Sequence, residues 1–225
     1  MSRITTGHRA DMHALAIAVL LLLSFTAAIA HGEALSHDQA AQGLTSDDAQ
    51  IRRDAAARLG DIGTMADVRL LVRSLRDPDD DTRERAEQSL WRIWARSGDA
   101  EIDKLYATGI EQMNAGDLKQ AIATFTRIIE RKPDFAEGWN KRATLYYLSG
   151  DLRRSLADCD EVMKRNPYHF GALSGYVMIY VRLGYYERAL EYARRALDVN
   201  PNLRGVRDTI ELIEHAIEQR RSNTI

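Results

Sequence analysis

Residues 136–169, AEGWNKRATLYYLSGDLRRSLADCDEVMKRNPYH, and residues 170–203, FGALSGYVMIYVRLGYYERALEYARRALDVNPNL, decide the fold of this chain. Each stretch has 34 residues, with a glycine near the middle and a proline close to the end. The preceding residues repeat the pattern, so three prolines stand 34 residues apart, at Pro133, Pro167 and Pro201. Because glycine and proline punctuate helix ends, each unit predicts a pair of helices. A period of this length predicts an all-α solenoid, in which neighbouring pairs stack because no pair can bury its apolar face alone.

The residues inside the units resemble the tetratricopeptide repeat (TPR), which has a large and a small residue on the first helix, alanine and an aromatic residue on the second, and a closing proline. The second unit carries at those places Trp139, Ala143, Tyr146, Ser155, Cys159 and Pro167. The third carries Leu173, Val177, Tyr180, Ala189, Ala193 and Pro201, and the first carries Leu105, Gly109, Ala121, Phe125 and Pro133. The positions that depart from the signature are Gln112, Ser155, Cys159 and Val177. The resemblance implies three TPR units over residues 99–203, wound as a right-handed superhelix, and a capping helix over residues 204–221.

A second, weaker period of 31 residues precedes the TPR units. Asp48-Ala49-Gln50-Ile51-Arg52 and Asp79-Asp80-Asp81-Thr82-Arg83 open two segments whose apolar positions coincide: Ala55 with Ala86, Leu59 with Leu90, and Ile62 with Ile93. These segments resemble short HEAT-type repeats and imply helical repeats over residues 46–98. We expect the helix over residues 100–115 to pack both on the helix that carries Trp91 and on its own TPR partner. That packing would make the chain one continuous solenoid.

The amino-terminal residues are typical of a secretory signal peptide over residues 1–30. Arg3 and Arg9 precede an apolar run over residues 14–30 that ends in Ala28-Ile29-Ala30, the small-x-small pattern at which a signal peptidase cleaves. Cleavage before His31 would release a periplasmic or secreted protein with no stable membrane insertion. The alternative is an inner-membrane anchor formed by residues 14–30, which are 17 residues long and fall short of the ~20 that a spanning helix needs.

Residues 31–45 are small, polar and without helical periodicity. We therefore expect them to form a flexible tether between the signal peptide and the first repeat.

The charges of the chain argue against nucleic acid as a partner. It has 31 basic and 33 acidic residues, and no stripe of basic residues stands out. Binding to phosphates needs such a stripe, because it works through charge neutralisation.

Motifs for catalysis, cofactors and metals are missing from the sequence, which predicts a non-enzymatic protein without a cofactor. The acidic run over residues 77–81 lacks the glycine and the distal glutamate of a calcium loop, so we interpret it as a helix cap. His31 and His37 are too few ligands for a copper site. We expect His169 to pack or cap a helix, and Cys159 to act as a buried small hydrophobe.

The TPR resemblance implies that the first helix of each unit lines a concave groove. The groove residues we expect to contact a partner are Tyr106, Ile110, Asn114, Asn140, Thr144, Tyr147, Ser174, Met178 and Arg182. Together they provide an apolar floor with scattered hydrogen-bond donors, which suits an extended peptide or an amphipathic helix. The alternative is that the groove is filled by the last helix of the chain itself. We expect Tyr147 to anchor a partner and Trp139 to pack between helices.

One branch of the family, the co-chaperones, holds the terminal carboxylate of a peptide with a clamp of lysine, asparagine and arginine. The matching positions here are Tyr106, Ile110, Lys141, Gly171 and Gly175, so the clamp is absent. The two glycines, four residues apart, favour close helix packing instead.

These observations predict a non-enzymatic scaffold of the cell envelope that binds a protein or peptide partner in its groove. The chain resembles exported bacterial TPR proteins that act as binding scaffolds. A self-associating structural protein, forming a homo-oligomer, is the alternative, and a metal-binding or enzymatic protein is the least favoured reading.

Overall fold

The computed structural model describes residues 34–222, which contain eleven α-helices and no strand. The first four helices form an amino-terminal block, with a short 3-10 turn at Met65–Asp67: α1 (His37–Gly43), α2 (Ala49–Ile62), α3 (Val68–Ser74) and α4 (Asp80–Trp94). The helices of the three TPR units follow: α5 (Ala100–Asn114), α6 (Leu118–Arg131), α7 (Ala136–Leu148), α8 (Leu152–Arg165), α9 (Phe170–Leu183) and α10 (Tyr186–Val199). The last helix is α11 (Arg204–Ser222). The predicted fold class, an all-α solenoid of helix pairs, is confirmed. The predicted signal peptide lies outside the described residues.

The turns inside the TPR units follow from the glycines that mark them. Gly116, Gly150 and Gly184 have φ values of 77°, 83° and 75°, in the left-handed region that side chains disfavour. In the first two units an aspartate follows the glycine and caps the second helix, since Asp117 accepts from the Gln120 N–H and Asp151 from the Arg154 N–H. Glycine followed by aspartate therefore ends one helix and starts the next.

Three apolar clusters form the core. One cluster joins the first TPR unit to α7 and is built around Phe125, Ile128 and Leu145, which are fully buried. The third unit is packed with alanines, because Ala189, Ala193 and Ala196 let α9 and α10 approach closely. The core of the amino-terminal block is formed by Leu59, Leu71, Leu75, Leu90 and Ile93, and Phe170 of α9 belongs to the same cluster.

The predicted flexible tether over residues 31–45 is wrong for its described part, residues 34–45. Residues His37–Gly43 form α1, which begins at a capping box made by Ser36 and Gln39. Leu35, Ala40 and Leu44 are buried against the amino-terminal block. The small side chains that suggested disorder instead allow α1 to lie close to α2.

The amino-terminal block meets the TPR units at a different place from the one we expected. α4 packs on α2 and α3, but its tryptophans do not pack on α5. Trp91 and Trp94 contact the ring of Phe170 at the start of α9, with centroid distances of 5.1 Å and 4.9 Å. The connection that follows α4 is held at the end of α2, where the Arg96 guanidinium donates to the carbonyl oxygens of Gly60 and Gly63.

The acidic run before α4 has the capping role that we predicted. Asp79 accepts hydrogen bonds from the Thr82 N–H at 2.8 Å and from the Arg53 guanidinium. Asp77 forms a two-point ion pair with Arg52, at 2.8 Å and 2.9 Å. These pairs fasten α2 to the loop that precedes α4.

Among residues 34–222, no helix combines the length and the hydropathy needed to cross a membrane.

The ion pair of Asp77 should make the stability of the protein depend on pH. Burial alone would raise the pKa of Asp77, but the hydrogen bonds from Arg52 and the Asp79 N–H lower it below its usual value. Because the pKa of Asp77 is lower in the folded protein than in the unfolded chain, its ion pair stabilises the folded protein at pH values above the unfolded pKa of about 3.9. This stabilisation is lost as the pH falls through the folded pKa. We expect Asp77→Asn to cost about 2 kcal/mol at pH 7, and the difference from wild type to shrink below about pH 4.

Urea unfolding at a series of pH values measures this effect. The matched control is Asp61→Asn, because Asp61 pairs with Arg92 at 3.0 Å but both side chains are more than half exposed. It should cost roughly 0.5 kcal/mol or less. Equal losses for the two variants would contradict the assigned role of Asp77.

Candidate functional site

The first helices of the TPR units present one continuous wall, which we call the concave face, and α11 extends it. Residues at the same place on successive helices are spaced by 34 positions: Ile110, Thr144, Met178 and Leu212. Met178 is 49% exposed and Leu212 is 72% exposed. Large apolar side chains exposed at the same repeat position indicate an apolar surface that a partner can reach.

The last helix does not fill the groove. Val206 and Ile213 of α11 are buried in the same cluster as the alanines of α10. α11 therefore stacks where the first helix of a fourth unit would lie, and it lengthens the concave face by one helix.

Four of the predicted groove residues line one cleft of about 140 Å³ between α7 and α9: Asn140, Thr144, Tyr147 and Met178. Gly171, Gly175 and Cys159 line the same cleft. Burial raises the pKa of the Cys159 thiol to about 12, with Asp158 and Asp160 adding to the effect. The thiol is therefore protonated and unreactive at neutral pH, as expected for a small buried hydrophobe.

Tyr147 lies at the edge of this cleft and is half-buried. The Arg182 guanidinium lies 5.4 Å from the centre of its ring and donates a hydrogen bond to the Tyr147 carbonyl oxygen at 3.0 Å. Leu148, the next residue, is 52% exposed. The rim of the cleft thus combines an oriented aromatic ring, a cation and apolar surface.

A second, larger cleft of about 560 Å³ adjoins the first. It is lined by Ser174 and Met178 of α9, by the start of α11 from Arg204 to Thr209, and by Glu87 of α4. Met178 lines both clefts, so they form one open region that runs from α7 to α11.

The three groove residues predicted on α5 lie outside both clefts. The Tyr106 ring packs on Phe125 and Phe135, and its hydroxyl donates to Glu137 Oε1 at 3.4 Å. Ile110 packs against the core of the first unit. Asn114 is the exposed last residue of α5.

A buried, hydrogen-bonded pair of side chains on the concave face was not anticipated from the sequence. Glu137 and His169 are 2% and 0% exposed, and Nε2–H of His169 donates to Glu137 at 2.8 Å. Lys141 and Asn140 also donate to Glu137, at 2.9 Å and 3.1 Å. Burial alone would raise the pKa of Glu137, but the hydrogen bond from His169 and the charge of Lys141 lower it to about 2.

His169 also caps α9, as the sequence predicted. Its Nδ1 accepts from the Ala172 N–H at 3.1 Å, which places the imidazole proton on Nε2. The position of His169 before a helix predicted the cap. Nothing local predicted Glu137 as its partner, because the two residues are 32 positions apart and meet only when the units stack.

The amino-terminal block covers part of the concave face at this pair. The Trp94 ring stacks on His169, with centroids 4.4 Å apart and planes inclined by 22°. Trp91 lies over Gly171, where a Cβ atom would be 2.5 Å from its ring. The close packing expected at Gly171 is therefore present, with Trp91 as the neighbour.

Trp139 differs from the expected packing role. Its ring is half-buried, between the guanidinium groups of Arg142 at 5.1 Å and Arg165 at 4.7 Å, and its Nε1–H donates to the Pro133 carbonyl oxygen. Cation–π contacts at the surface thus replace part of the buried helix packing that we predicted.

Comparisons with known proteins agree with this architecture. The tetratricopeptide repeat family model matches residues 172–203. A TPR repeat-containing protein of Rhizobium etli is 32% identical over 129 residues, which are 57% of this chain and 63% of that protein. A tetratricopeptide repeat-containing protein of Caenorhabditis elegans is 27% identical over 105 residues, or 46% of this chain and 13% of that protein. The chain spans less than two thirds of either relative.

Solved structures share the fold. The Sgt2 TPR domain from Aspergillus fumigatus has a TM-score of 0.52 and 21% identity, covering 55% of this chain and 83% of that one. The first TPR of Spaghetti (RPAP3), bound to the HSP90 peptide SRMEEVD, has a TM-score of 0.51 and 21% identity, covering 53% and 96%. The 34-residue period, the stacked helix pairs, the family match over residues 172–203 and the Rhizobium etli relative together support a protein of the tetratricopeptide repeat family.

Proposed function

We propose that this protein is a non-enzymatic scaffold that binds a peptide or a helix of a partner protein on the open part of its concave face. The observation that carries the proposal is the exposed side chain of Met178, which lines one cleft with Tyr147, while Leu212 is exposed at the same repeat position on α11. An accessible apolar groove with a few polar groups is the usual form of a peptide-binding site.

The side chains of the two clefts suit such a ligand. Methionine adapts its shape to apolar side chains of different sizes, and tyrosine combines a large contact area with a hydroxyl group. Asn140 and Thr144 supply hydrogen-bonding groups at the floor of the first cleft. The solved TPR domains of RPAP3 and of yeast Sti1 were obtained with HSP90 and Hsp70 peptides, which supports a peptide as the ligand class.

The chemistry of the partner should differ from that of a chaperone tail. Lys141, which occupies a clamp position, is paired with Glu137 at 2.9 Å, and Gly171 is covered by Trp91. A terminal carboxylate would therefore meet the buried charge of Glu137 and the indole ring. Internal peptide segments with apolar side chains fit the open clefts better.

The Glu137 and His169 pair supports the non-enzymatic proposal. Both side chains have the chemistry of a catalytic acid and base, but they are 2% and 0% exposed and all four of their polar atoms bind other groups. A substrate cannot reach them, so their role is to hold α7, α9 and α4 together.

We further propose that the protein acts in the periplasm or outside the cell. Arg3 and Arg9, the apolar run over residues 14–30 and the Ala28-Ile29-Ala30 site support this location. Amino-terminal sequencing of the protein purified from its native envelope should return His31 as the first residue. Recovery of Met1 or Ser2 from the membrane fraction would contradict export with cleavage.

Tyr147 should be an anchor for the partner. A photoreactive phenylalanine at position 147 should cross-link the partner in intact cells, and mass spectrometry identifies it. With the purified partner, we expect Tyr147→Ala to weaken binding about tenfold, or about 1.4 kcal/mol, as for a moderate hot spot, while circular dichroism stays unchanged.

Two controls accompany this measurement. Tyr185→Ala removes a tyrosine that is 57% exposed and lies outside both clefts, so it should leave affinity unchanged. The peptide SRMEEVD should not compete with the partner. Unchanged affinity in Tyr147→Ala, or competition by this peptide, would overturn the proposed site, and a mass that rises with concentration would favour self-association.

A further inference from the structure

The amino-terminal half of the concave face, near the starts of α7 and α9, is covered by α4 and the loop before it. The 34-residue register shows that the covered positions belong to the groove. Gly171 and Ser174 of α9 correspond to Glu137 and Asn140 of α7. Trp91 lies against Gly171, and Glu87 shares a cleft with Ser174.

At one end, the contact between α4 and the start of α9 is formed by aromatic rings. Trp94 stacks on His169 at 4.4 Å, and Trp91 meets the rings of His169 and Phe170 edge-on at 5.6 Å and 5.1 Å. Trp94 and Phe170 are 3% and 1% exposed. The two tryptophans, three positions apart on one helix, therefore fill the space over the start of α9.

At the other end, near the loop between α10 and α11, the contact is formed by hydrogen bonds. Asn202 donates to the Leu75 carbonyl oxygen at 2.7 Å, and Asn200 donates to Glu87 at 3.0 Å. Arg76 donates to the carbonyl oxygens of Asp198 and Val199. Glu87, Trp91 and Trp94 of α4, together with the loop before it, thus contact the TPR units.

This arrangement has the form of a helix bound in a groove. Helices that bind in grooves place their anchor side chains on one face. α4 does so with its two tryptophans, three positions apart, and with Glu87 one turn earlier, and the TPR units supply aromatic rings and polar groups that contact them. Leu59, Leu71 and Leu90 of the amino-terminal block are fully buried, and Phe170 of α9 is part of the same apolar cluster. The Trp94 indole N–H, buried in the contact, has no hydrogen-bond partner among the described residues, which lowers the stability of the docked state.

We infer that α4 is an internal ligand: the amino-terminal half of the concave face is a binding site for an amphipathic helix with two large aromatic side chains three positions apart, and α4 occupies this site in cis. A partner helix of the same pattern binds there only when α4 leaves. This inference goes beyond the proposed function, which concerns the open clefts around Tyr147 and Met178.

The test uses the full chain and a fluorescent peptide of residues 79–96, DDDTRERAEQSLWRIWAR. The probe should bind the double variant Trp91→Ala, Trp94→Ala at least about tenfold more tightly than it binds wild type, whose site is occupied. A peptide with both tryptophans changed to alanine should not bind. Adding Tyr147→Ala to the double variant should leave probe binding unchanged, which separates this site from the open clefts. Equal binding to wild type and the double variant would overturn the inference.

A pair of glycine variants tests the same contact without altering α4. Gly171→Ala places a methyl group against Trp91, whereas Gly175→Ala, four positions later on α9, meets only Cys159 Sγ at 3.4 Å. In hydrogen exchange, amides of residues 80–94 should exchange faster in Gly171→Ala than in Gly175→Ala, while α5 to α8 keep their protection. Equal protection of residues 80–94, or a joint loss of protection across the chain, would show that α4 is not a separable ligand.

Discussion

The stacking of the Trp94 ring on the imidazole of His169 is the interaction on which the arrangement of the molecule depends. His169 can offer its face because both ring nitrogens are engaged, Nε2 by Glu137 and Nδ1 by the Ala172 N–H. Glu137 in turn remains ionised in a buried place because His169 donates a hydrogen bond to it and Lys141 compensates its charge. One small network therefore orders α7, caps α9 and fixes the amino-terminal block.

This contact divides the concave face into two regions with different properties. Near the starts of α7 and α9, aromatic rings from α4 cover the groove. Towards α11, Met178 remains exposed in the cleft that it shares with Tyr147, Leu212 is exposed on α11, and α11 lengthens the wall instead of filling it. The extended concave surface that stacked repeats create is therefore only partly open in this chain.

Much of the fold could be predicted from the sequence, because helix periodicity, glycine turns and caps are local properties. The 34-residue period predicted the helix pairs, and the position of His169 before a helix predicted its role as a cap. Interactions between distant residues could not be read in the same way, such as the pairing of Glu137 with His169 and the contact of Trp91 with α9. Ala40 lies in a segment that resembles a tether, yet it is fully buried. Of the predicted groove residues, those on α7 line the clefts together with Ser174 and Met178 of α9, Arg182 lies at the rim, and those on α5 lie outside.

The most direct test of this account is whether the ring of Trp94 lies on His169 in solution. Nuclear Overhauser effects in the full chain should connect the Trp94 indole protons with the His169 imidazole protons, and Trp94→Leu should remove the ring-current shift of His169. ¹⁵N relaxation should give the same rotational correlation time for α2 and α8. Absence of these effects, with the amino-terminal block tumbling independently of the TPR units, would contradict the account.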